Sequence, residues 1–331
     1  MKVMRARIPG KVMLAGEYAV LNGGPCLALT VDRWLQVTVR SQEQAGFSVR
    51  TNLWPEVVEL HTADPYAIQA EPLLQACDEA GRRLQLDRVR VDVHSDLTIA
   101  HGLGSSSAVR LATLMALQAF AEQTADLDTV SLARIAWNLQ REQQLFASGY
   151  DVLVQSVGGL VHWEPDYTQW PGRFERLPLA PAHGWVHVFV GGQGAPTASF
   201  GGRVRRWLAA EGLEDDLGRR SHRLVESFAQ HFALGERSSL RELCTAVREH
   251  RQLFVAAPSY PHRLLELLSG LPGFDETWTF KTTGAGGEDA ILLIGEAFGL
   301  GAAETALLTH GWRPLGARFG EQGACLEEIE S

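Results

Sequence analysis

Residues 101–110 read HGLGSSSAVR, so two glycines and three serines stand where an apolar helix begins. A helix N-terminus has unpaired N–H groups and carries a partial positive charge. Glycines before it let the backbone approach an anion, and serine hydroxyls add donors for phosphate or ligands for Mg²⁺. The stretch therefore favours a phosphate-binding loop at 102–108, although a flexible loop that only caps a core helix also fits. It matches neither GxxxxGK[ST] nor GxGxxG.

The patterns on either side of this loop predict an α+β fold. Apolar alternation predicts strands at 35–39 and 89–93, and short β-rich runs predict strands at 185–190 and 290–295. Apolar residues at helical spacing predict helices over 106–123 and 131–145, the second with Ser131 as its N-cap. Further helices are expected at 218–233, 238–254, 261–269 and 297–310. Because strands and helices mix without regular βαβ alternation, an α+β fold is favoured over a doubly wound sheet.

Composition restricts the possible classes of function. The chain has 331 residues, 45% of them hydrophobic and 21% charged, which suits a globular protein of two domains or one large one. A net charge of −9 argues against a nucleic-acid partner, since such a partner needs a basic face. A local basic pocket for a small anion remains compatible with this charge.

The expected location follows from what the sequence lacks. No run reaches the roughly 18 apolar residues of a membrane span, and the N-terminal segment does not resemble a signal peptide. The scattered residues Cys26, Cys77, Cys244 and Cys325 have no metal-ligand spacing and are expected to be free thiols. A cytoplasmic protein without a membrane partner is therefore predicted, either monomer or homodimer.

Three further stretches accompany the loop: PGKVMLAGEYAVLNGG (9–24), SGYDVLVQSVGGLVHW (148–163) and KTTGAGGEDAILLIG (281–295). In this order the four stretches resemble the motifs of the GHMP small-molecule kinases, over most of the chain. The resemblance implies a two-domain fold, with a left-handed βαβ unit in an N-terminal domain (1–182) and a ferredoxin-like C-terminal domain (183–331). It also implies ATP and Mg²⁺ as cofactors, and an active site between the domains.

The resemblance assigns roles to the matched residues. Asp151 matches an aspartate that acts as catalytic base or orients the acceptor oxygen, and Lys11 matches a lysine that can pair with it and steady the transferring phosphoryl group. If the acceptor is itself a phosphate, Asp151 would mainly position substrate or metal. The residues assigned to ATP are Gly102, Leu103, Gly104, Ser105, Ser106, Ser107 and Ala108 in the phosphate loop, with Gly284, Ala285, Gly286 and Gly287 in the third motif.

The other assignments concern the metal and the acceptor. Ser106 matches the position of a Mg²⁺ ligand, and Glu142 on the helix before Asp151 is a second candidate. The expected substrate contacts are Glu17, Tyr18, Gly149 and Thr197. Glu288 departs from the family pattern because glycine is usual there.

The acceptor is expected to be a small anionic substrate. GEYAVL, SGYDV and GAGGED resemble the phosphomevalonate kinase branch of the family, which implies phosphomevalonate as the substrate. Mevalonate, phosphorylated on its hydroxyl group, is the alternative. A GHMP-fold protein that binds a ligand without turnover is a further alternative from a different class.

Overall fold

The structure is a computed structural model that describes residues 3–98, 101–144, 146–179, 185–191, 197–234, 237–258, 260–284, 286 and 289–329. For 197–200, 233–234, 237–239 and 297–298 it describes the backbone only. The strands in these residues are β1 (Val3–Ala15), β2 (Cys26–Ser41), β3 (Phe47–Thr51), β4 (Val58–Glu59), β5 (Val89–Ser95), β6 (Leu160–Glu164), β7 (Arg173–Leu177), β8 (Val186–Val190), β9 (Trp278–Thr282), β10 (Ala290–Gly295), β11 (Arg313–Pro314), β12 (Phe319–Gly320) and β13 (Cys325–Ile329).

Helices occupy much of the remaining chain. They are α1 (Pro65–Ala70), α2 (Pro72–Leu84), α3 (Ser105–Glu122), α4 (Thr129–Gln143), α5 (Tyr150–Val157), α6 (Thr197–Ala210), α7 (Glu214–Leu234), α8 (Arg237–Phe254), α9 (His262–Ser269) and α10 (Ala297–Thr309). In the part of the chain that the structure describes, every helix is too short or too polar to span a bilayer.

The first sheet is built around the long strand β2. Its order is β13-β1-β2-β5-β3-β4, with β6 and β12 also paired to β2 and β7 paired to β6. Leu35, Val37 and Val39 alternate along β2 and are buried, as their period of two predicts. Helix α3 packs against β1 and β2, and its apolar residues join the same core. This packing fixes the loop before α3 beside β1.

The second sheet has the order β11-β8-β10-β9 and is antiparallel throughout. Numbered along the chain, its strands lie in the order 4-1-3-2, with helices between the first and second and between the third and fourth. That is the ferredoxin-like arrangement that was expected, and the α+β prediction is confirmed. Phe189 and Leu293 face a core with α9 and α10, whereas Val188 and Leu292 face the main core.

The expected βαβ unit and domain boundary fit this topology only in outline. Strands β3 and β5 are parallel, and β4, α1 and α2 connect them. The left-handed sense of this crossover stays a prediction. The expected boundary at 182/183 falls among residues 180–184, outside the described residues. Because β12 and β13 return to the first sheet, a single cut does not separate the two sheets, and the domain division also stays a prediction.

Helix α4 begins earlier than the sequence pattern predicts. Asp128 is its N-cap, and its carboxylate accepts hydrogen bonds from the N–H groups of Val130 (3.1 Å) and Ser131 (3.0 Å). The prediction of Ser131 as the cap was therefore wrong. A carboxylate can accept several N–H bonds at once and also favours the positive end of the helix, so Asp128 is well suited to the cap.

The cysteines are free thiols, as expected. Cys26, Cys77 and Cys244 are buried, and Cys325 is partly exposed. Burial raises the pKa of the Cys26 and Cys77 thiols and raises the pKa of Cys244 to about 12, which keeps them protonated at neutral pH.

The junction between α5 and the segment before β13 depends on two glycines without side chains. Gly158 has φ +73°, and a Cβ there would lie 2.1 Å from the backbone nitrogen of Gly323. Gly311 has a similar φ of +87°, but a Cβ there would meet nothing within 4 Å. We expect Gly158→Ala to lower the free energy of unfolding by about 2 kcal/mol more than Gly311→Ala, because only the first substitution adds overpacking to backbone strain.

Urea unfolding of the two variants and the parent chain measures this difference. Equal destabilisation by the two substitutions would contradict the close packing of Gly158 against Gly323.

Candidate active site

The predicted phosphate loop lies at the N-terminus of α3, as the sequence indicates. Gly104 is the N-cap with φ +79°, and Gly102 has φ +64°, both in the region that favours glycine. The first hydrogen bond of the helix runs from the Ala108 N–H to the Gly104 carbonyl at 2.9 Å. The amides of 105–107 therefore have no partner within the helix and can donate to an anion.

The side chains of the loop divide into two groups. Leu103 and Ala108 are buried in the main core, so they anchor the loop. The Ser107 hydroxyl is buried and donates to the Gly104 carbonyl at 2.8 Å, which closes the first turn. Ser105 and Ser106 are partly exposed. Of the three serines, these two are left to face a ligand.

Lys11 of β1 joins this loop through both its backbone and its side chain. Its N–H donates to the Leu103 carbonyl at 3.0 Å, and its ammonium donates to the Gly102 carbonyl at 2.9 Å. The side chain is buried, and the ammonium lies 5.0 Å from the centre of the Tyr150 ring. Burial lowers the pKa of Lys11, while the negative charges of Asp151 and Glu17 oppose that shift.

Asp151 stands in the first turn of α5, and two donors hold its carboxylate. The Val152 N–H donates to Oδ1 at 3.0 Å, and Gln140 Nε2 donates to Oδ2 at 3.1 Å. Lys11 and Asp151 do not form one of the ion pairs of the described residues, so their attraction acts at longer range. The structure therefore brings the two predicted catalytic residues to one region, with Asp151 already oriented.

Two buried glutamines complete this arrangement, and sequence reasoning missed both. Gln155 Nε2 donates to the Pro9 carbonyl at 3.0 Å and to the Gly104 carbonyl at 3.1 Å. It thereby fastens α5 to β1 and to the phosphate loop. Gln140, on α4, holds Asp151. The available signal was a polar residue inside an apolar stretch, which for Gln155 is the run VLVQSV.

The third motif also reaches β1. Thr283 Oγ1 donates to the Met13 carbonyl at 2.6 Å. Gly284 and Gly286 have φ +69° and +87°. Near the phosphate loop, a Cβ on Gly102 would lie 3.9 Å from the Cβ of Asp289. The third motif thus lies beside both other segments, while Ala285, Gly287 and Glu288 are outside the described residues.

The predicted substrate contacts have different environments. Glu17 is buried in an ion pair with Lys281, which also donates to the Thr282 carbonyl at 2.7 Å. Burial raises the pKa of Glu17 and lowers that of Lys281, and each partner opposes the shift of the other. Tyr18 has φ +60°, and its ring packs 5.7 Å from that of Phe254.

Gly149 and Thr197 remain predictions as substrate contacts. A Cβ on Gly149 would lie 2.8 Å from the Trp137 ring and 2.9 Å from the Trp170 ring, which gives this glycine a packing role. Thr197 begins α6, and its side chain is outside the described part of the chain.

A buried arginine connects the two predicted metal ligands. Arg110 Nη1 donates to Ser106 Oγ at 2.6 Å, and its Nε donates to Gln75 Oε1 at 3.2 Å. Gln75 Nε2 in turn donates to Glu142 Oε2 at 3.1 Å. Arg110 is fully buried, and burial lowers its pKa to about 10 against the opposing charges of Asp151, Glu71 and Glu142. It therefore remains a cation at neutral pH.

This chain of hydrogen bonds does not fit a shared magnesium site. Ser106 accepts a hydrogen bond from Arg110, and Glu142 accepts one from Gln75. The Arg110 guanidinium also places a positive charge beside Ser106, where it would repel a metal ion and compete with it for the serine oxygen. Within the described residues, no group of three or more His, Cys, Asp or Glu side chains is arranged to hold a metal. Ser106 and Glu142 as metal ligands stay a prediction that their contacts do not support.

Known proteins resemble this chain in sequence and in fold. The family model described as the GHMP kinases N terminal domain matches residues 70–159. The mevalonate kinase of Archaeoglobus fulgidus is 30% identical over 156 residues, which is 47% of this chain and 51% of that relative. The chain thus spans about half the length of that relative. The mevalonate kinase of Pyrococcus horikoshii is 25% identical over 99% of both chains.

A solved structure extends the comparison to the fold of almost the whole chain. The phosphomevalonate kinase of Streptococcus pneumoniae, in complex with phosphomevalonate and AMPPNP, superposes with a TM-score of 0.77 at 16% identity. The superposition covers 95% of this chain and 99% of that one. At this identity it shows the fold alone. The matched domain, the full-length relative and the shared fold confirm the resemblance of the four motifs to the GHMP small-molecule kinases.

Proposed function

We propose that this protein transfers the γ-phosphoryl group of ATP to a small mevalonate-type acid. The observation that carries the proposal is the buried Lys11 ammonium, which bonds the Gly102 carbonyl at the N-terminus of α3 within the field of Asp151. Phosphoryl transfer requires positioning and charge stabilisation more than covalent chemistry. A fixed cation, a phosphate-binding helix terminus and an oriented carboxylate meet those requirements.

Each group has a distinct part in the proposed reaction. The amides of 105–107 donate to the nucleotide phosphates, and the helix terminus favours their negative charge. Lys11 stabilises the charge that spreads over the transferring phosphoryl oxygens. Asp151 orients the acceptor oxygen and takes up its proton when the acceptor is a hydroxyl. Gln140 holds the carboxylate in place for this role.

Magnesium is part of the proposal as a companion of the nucleotide. When bound, it would neutralise charge on the phosphates. Its protein ligands are not assigned to Ser106 and Glu142, because those oxygens already accept hydrogen bonds from Arg110 and Gln75.

For the acceptor, we propose phosphomevalonate, with mevalonate as the second candidate. The stretches GEYAVL and SGYDV support the first. The curated relatives described above are mevalonate kinases, which supports the second. Non-catalytic ligand binding has no observation in its favour among the described residues.

Replacing Lys11 tests the observation on which the proposal rests, namely the buried ammonium at the N-terminus of α3. We expect Lys11→Met to lower kcat by about 10²- to 10³-fold, because the charge that stabilises the transferring group is lost. A coupled assay of ADP formation measures kcat, and thermal melting checks that the variant is folded. A folded variant with kcat within three-fold of the parent would remove Lys11 from the mechanism.

The Asp151→Asn variant separates the two acceptors. A hydroxyl must lose its proton, so the variant should lower kcat for mevalonate by about 10²- to 10⁴-fold. Phosphomevalonate is already anionic, so kcat for this acceptor should fall less.

The parent chain should prefer phosphomevalonate by at least about ten-fold in kcat/KM, which is about 1.4 kcal/mol of transition-state binding.

Asp126→Asn is the matched control, because it makes the same change at an exposed carboxylate. A preference of the parent for mevalonate would reverse the choice of acceptor. If the parent chain forms no ADP with either acid, that result would contradict the proposed function.

The dependence on magnesium tests the role of Glu142. Because Glu142 bonds to Gln75, we expect Glu142→Gln to change the Mg²⁺ concentration for half-maximal activity by less than about two-fold. Loss of a true ligand would instead raise this concentration by about ten-fold or more. A Mg²⁺ titration at saturating ATP measures it, and a ten-fold rise would restore Glu142 as a ligand.

A further inference from the structure

Arg110 is a buried cation that the described residues hold with neutral groups only. It lies one turn after Ser106 on α3, and because helical side chains lean toward the N-terminus, its guanidinium reaches back to the phosphate loop. Within the described part of the chain it forms no ion pair, and the charges of Asp151, Glu71 and Glu142 act on it from a distance. A buried cation that no carboxylate neutralises keeps its field for an anion nearby.

Two glutamines on neighbouring helices fix the guanidinium of Arg110. Its Nε donates to Gln75 Oε1 at 3.2 Å, and its Nη2 donates to Gln143 Oε1. The first glutamine is anchored through Nε2, which donates to the Leu139 carbonyl at 3.1 Å. The second is anchored in the same way on the Gln69 carbonyl at 2.5 Å. Because a guanidinium is planar and rigid, these contacts also fix the direction of the remaining nitrogen, Nη1.

The Nη1 atom of Arg110 determines how the Ser106 hydroxyl is oriented. It donates to Ser106 Oγ at 2.6 Å and to the Ser106 carbonyl at 3.1 Å. A guanidinium cannot accept a hydrogen bond, so the serine proton must point away from it. The carbonyls of Gly102 and Leu103, three and four positions earlier, already accept from Lys11. Among the hydrogen bonds of the described residues, the Ser106 hydroxyl accepts and does not donate, so its proton is left for a ligand.

This orientation makes the Ser106 hydroxyl a good donor and a poor metal ligand. A hydrogen bond from a cation polarises the hydroxyl group and strengthens the bond that its proton makes. The same cation repels a metal ion that approaches the remaining lone pair of the oxygen. An anion gains from both effects, because it accepts the proton and is attracted by the guanidinium.

We propose that Arg110 is a positioning residue that holds the Ser106 hydroxyl as a hydrogen-bond donor to a nucleotide phosphate and prevents it from acting as a metal ligand. The inference rests on the proposed function, because it requires that the start of α3 binds the nucleotide. It differs from the family resemblance, which assigns a metal ligand to the position of Ser106. Because Arg110 acts through Ser106, most of its effect should disappear when that hydroxyl is absent.

Binding of AMPPNP without any acceptor tests the role of Ser106. Calorimetric titrations are made with Mg²⁺ and in EDTA, which removes metal ions. We expect Ser106→Ala to weaken binding by about ten-fold or more in both conditions, because a charge-assisted hydrogen bond is lost. A loss of affinity with Mg²⁺ but not in EDTA would identify a metal ligand and overturn the proposal. Undetectable binding by the parent in EDTA would also overturn it, because the phosphates would then be held through the metal alone.

Two polar replacements of Arg110 test whether the direction of its hydrogen bond matters. Arg110→Gln introduces an amide that can accept the serine proton as well as donate, so AMPPNP binding should weaken by about ten-fold. Arg110→Lys keeps a cation with donors only, and its affinity should stay within about three-fold of the parent. Arg134→Met is the control, because Arg134 is an exposed arginine on α4. A folded Gln variant with the affinity of the parent would overturn the proposal.

A double-mutant cycle distinguishes positioning from a purely structural role. In the Ser106→Ala chain, Arg110→Gln should weaken AMPPNP binding by less than about three-fold, because only the attraction of the charge at a distance remains to be lost. If Arg110 merely joins the helices, the loss will be equal in both backgrounds, and that result would overturn the proposal. Thermal melting accompanies each titration, and Arg110→Met takes the place of Arg110→Gln in the cycle if the latter does not fold.

The titrations also separate this inference from the proposed function. A chain that forms no ADP with either acid but shows the expected cycle would refute the proposed reaction and retain the role of Arg110. A chain that forms ADP, with equal losses in the two backgrounds, would refute the role of Arg110 alone. Absence of AMPPNP binding by the parent in both conditions would refute both.

Discussion

The buried ammonium of Lys11 is the interaction on which the site depends. An isolated buried charge is costly, so it persists only where the fold supplies partners. The Gly102 carbonyl supplies one partner, and the charges of Asp151 and Glu17 supply the rest. The glycine at 104 is part of this requirement, because a Cβ there would lie 2.9 Å from Lys11 Cε. The lysine and the phosphate loop therefore constrain each other.

The same rule governs the other buried cations near the site. Arg110 is held by Ser106 and by neutral amides, whereas Lys281 is held by a carboxylate. The carboxylate cancels most of the attraction of Lys281 for an incoming phosphate, whereas Arg110, held by neutral groups, keeps its charge beside Ser106. Among the described residues near the loop, the amides at the start of α3, Lys11 and Arg110 supply that attraction. This explains how a protein with a net charge of −9 can still present an anion site.

Local patterns predicted the elements of the fold well and the contacts between them poorly. The strands β5, β8 and β10 and the helix α3 follow from periodicity within a few residues. The ferredoxin-like order of the second sheet was implied by the family resemblance, and the order of the first sheet was not predicted, since no local pattern contains it. Gln155 and Pro9 are 146 positions apart, so only the folded chain reveals their hydrogen bond.

The positions of Glu142 and Gln140 show why the site is harder to predict than the fold. Two residues that are two positions apart on a helix point about 200° away from each other. Which residue of α4 faces Asp151 therefore depends on an exact position that the sequence pattern does not determine. The structure turns Gln140 toward Asp151 and Glu142 toward Gln75. A carboxylate is the more obvious metal ligand by type, but its position on the helix decides what it can reach.

Glu17 connects the two ends of the proposed site. Its Oε1 is bound to Lys281, and its charge opposes the lowering of the Lys11 pKa by burial. Lys281 and Lys11 in turn oppose the rise that burial causes in the pKa of Glu17. The carboxylate that pairs with the strand before the third motif therefore also helps to keep a cation at the phosphate loop, which is why the two segments must be positioned together.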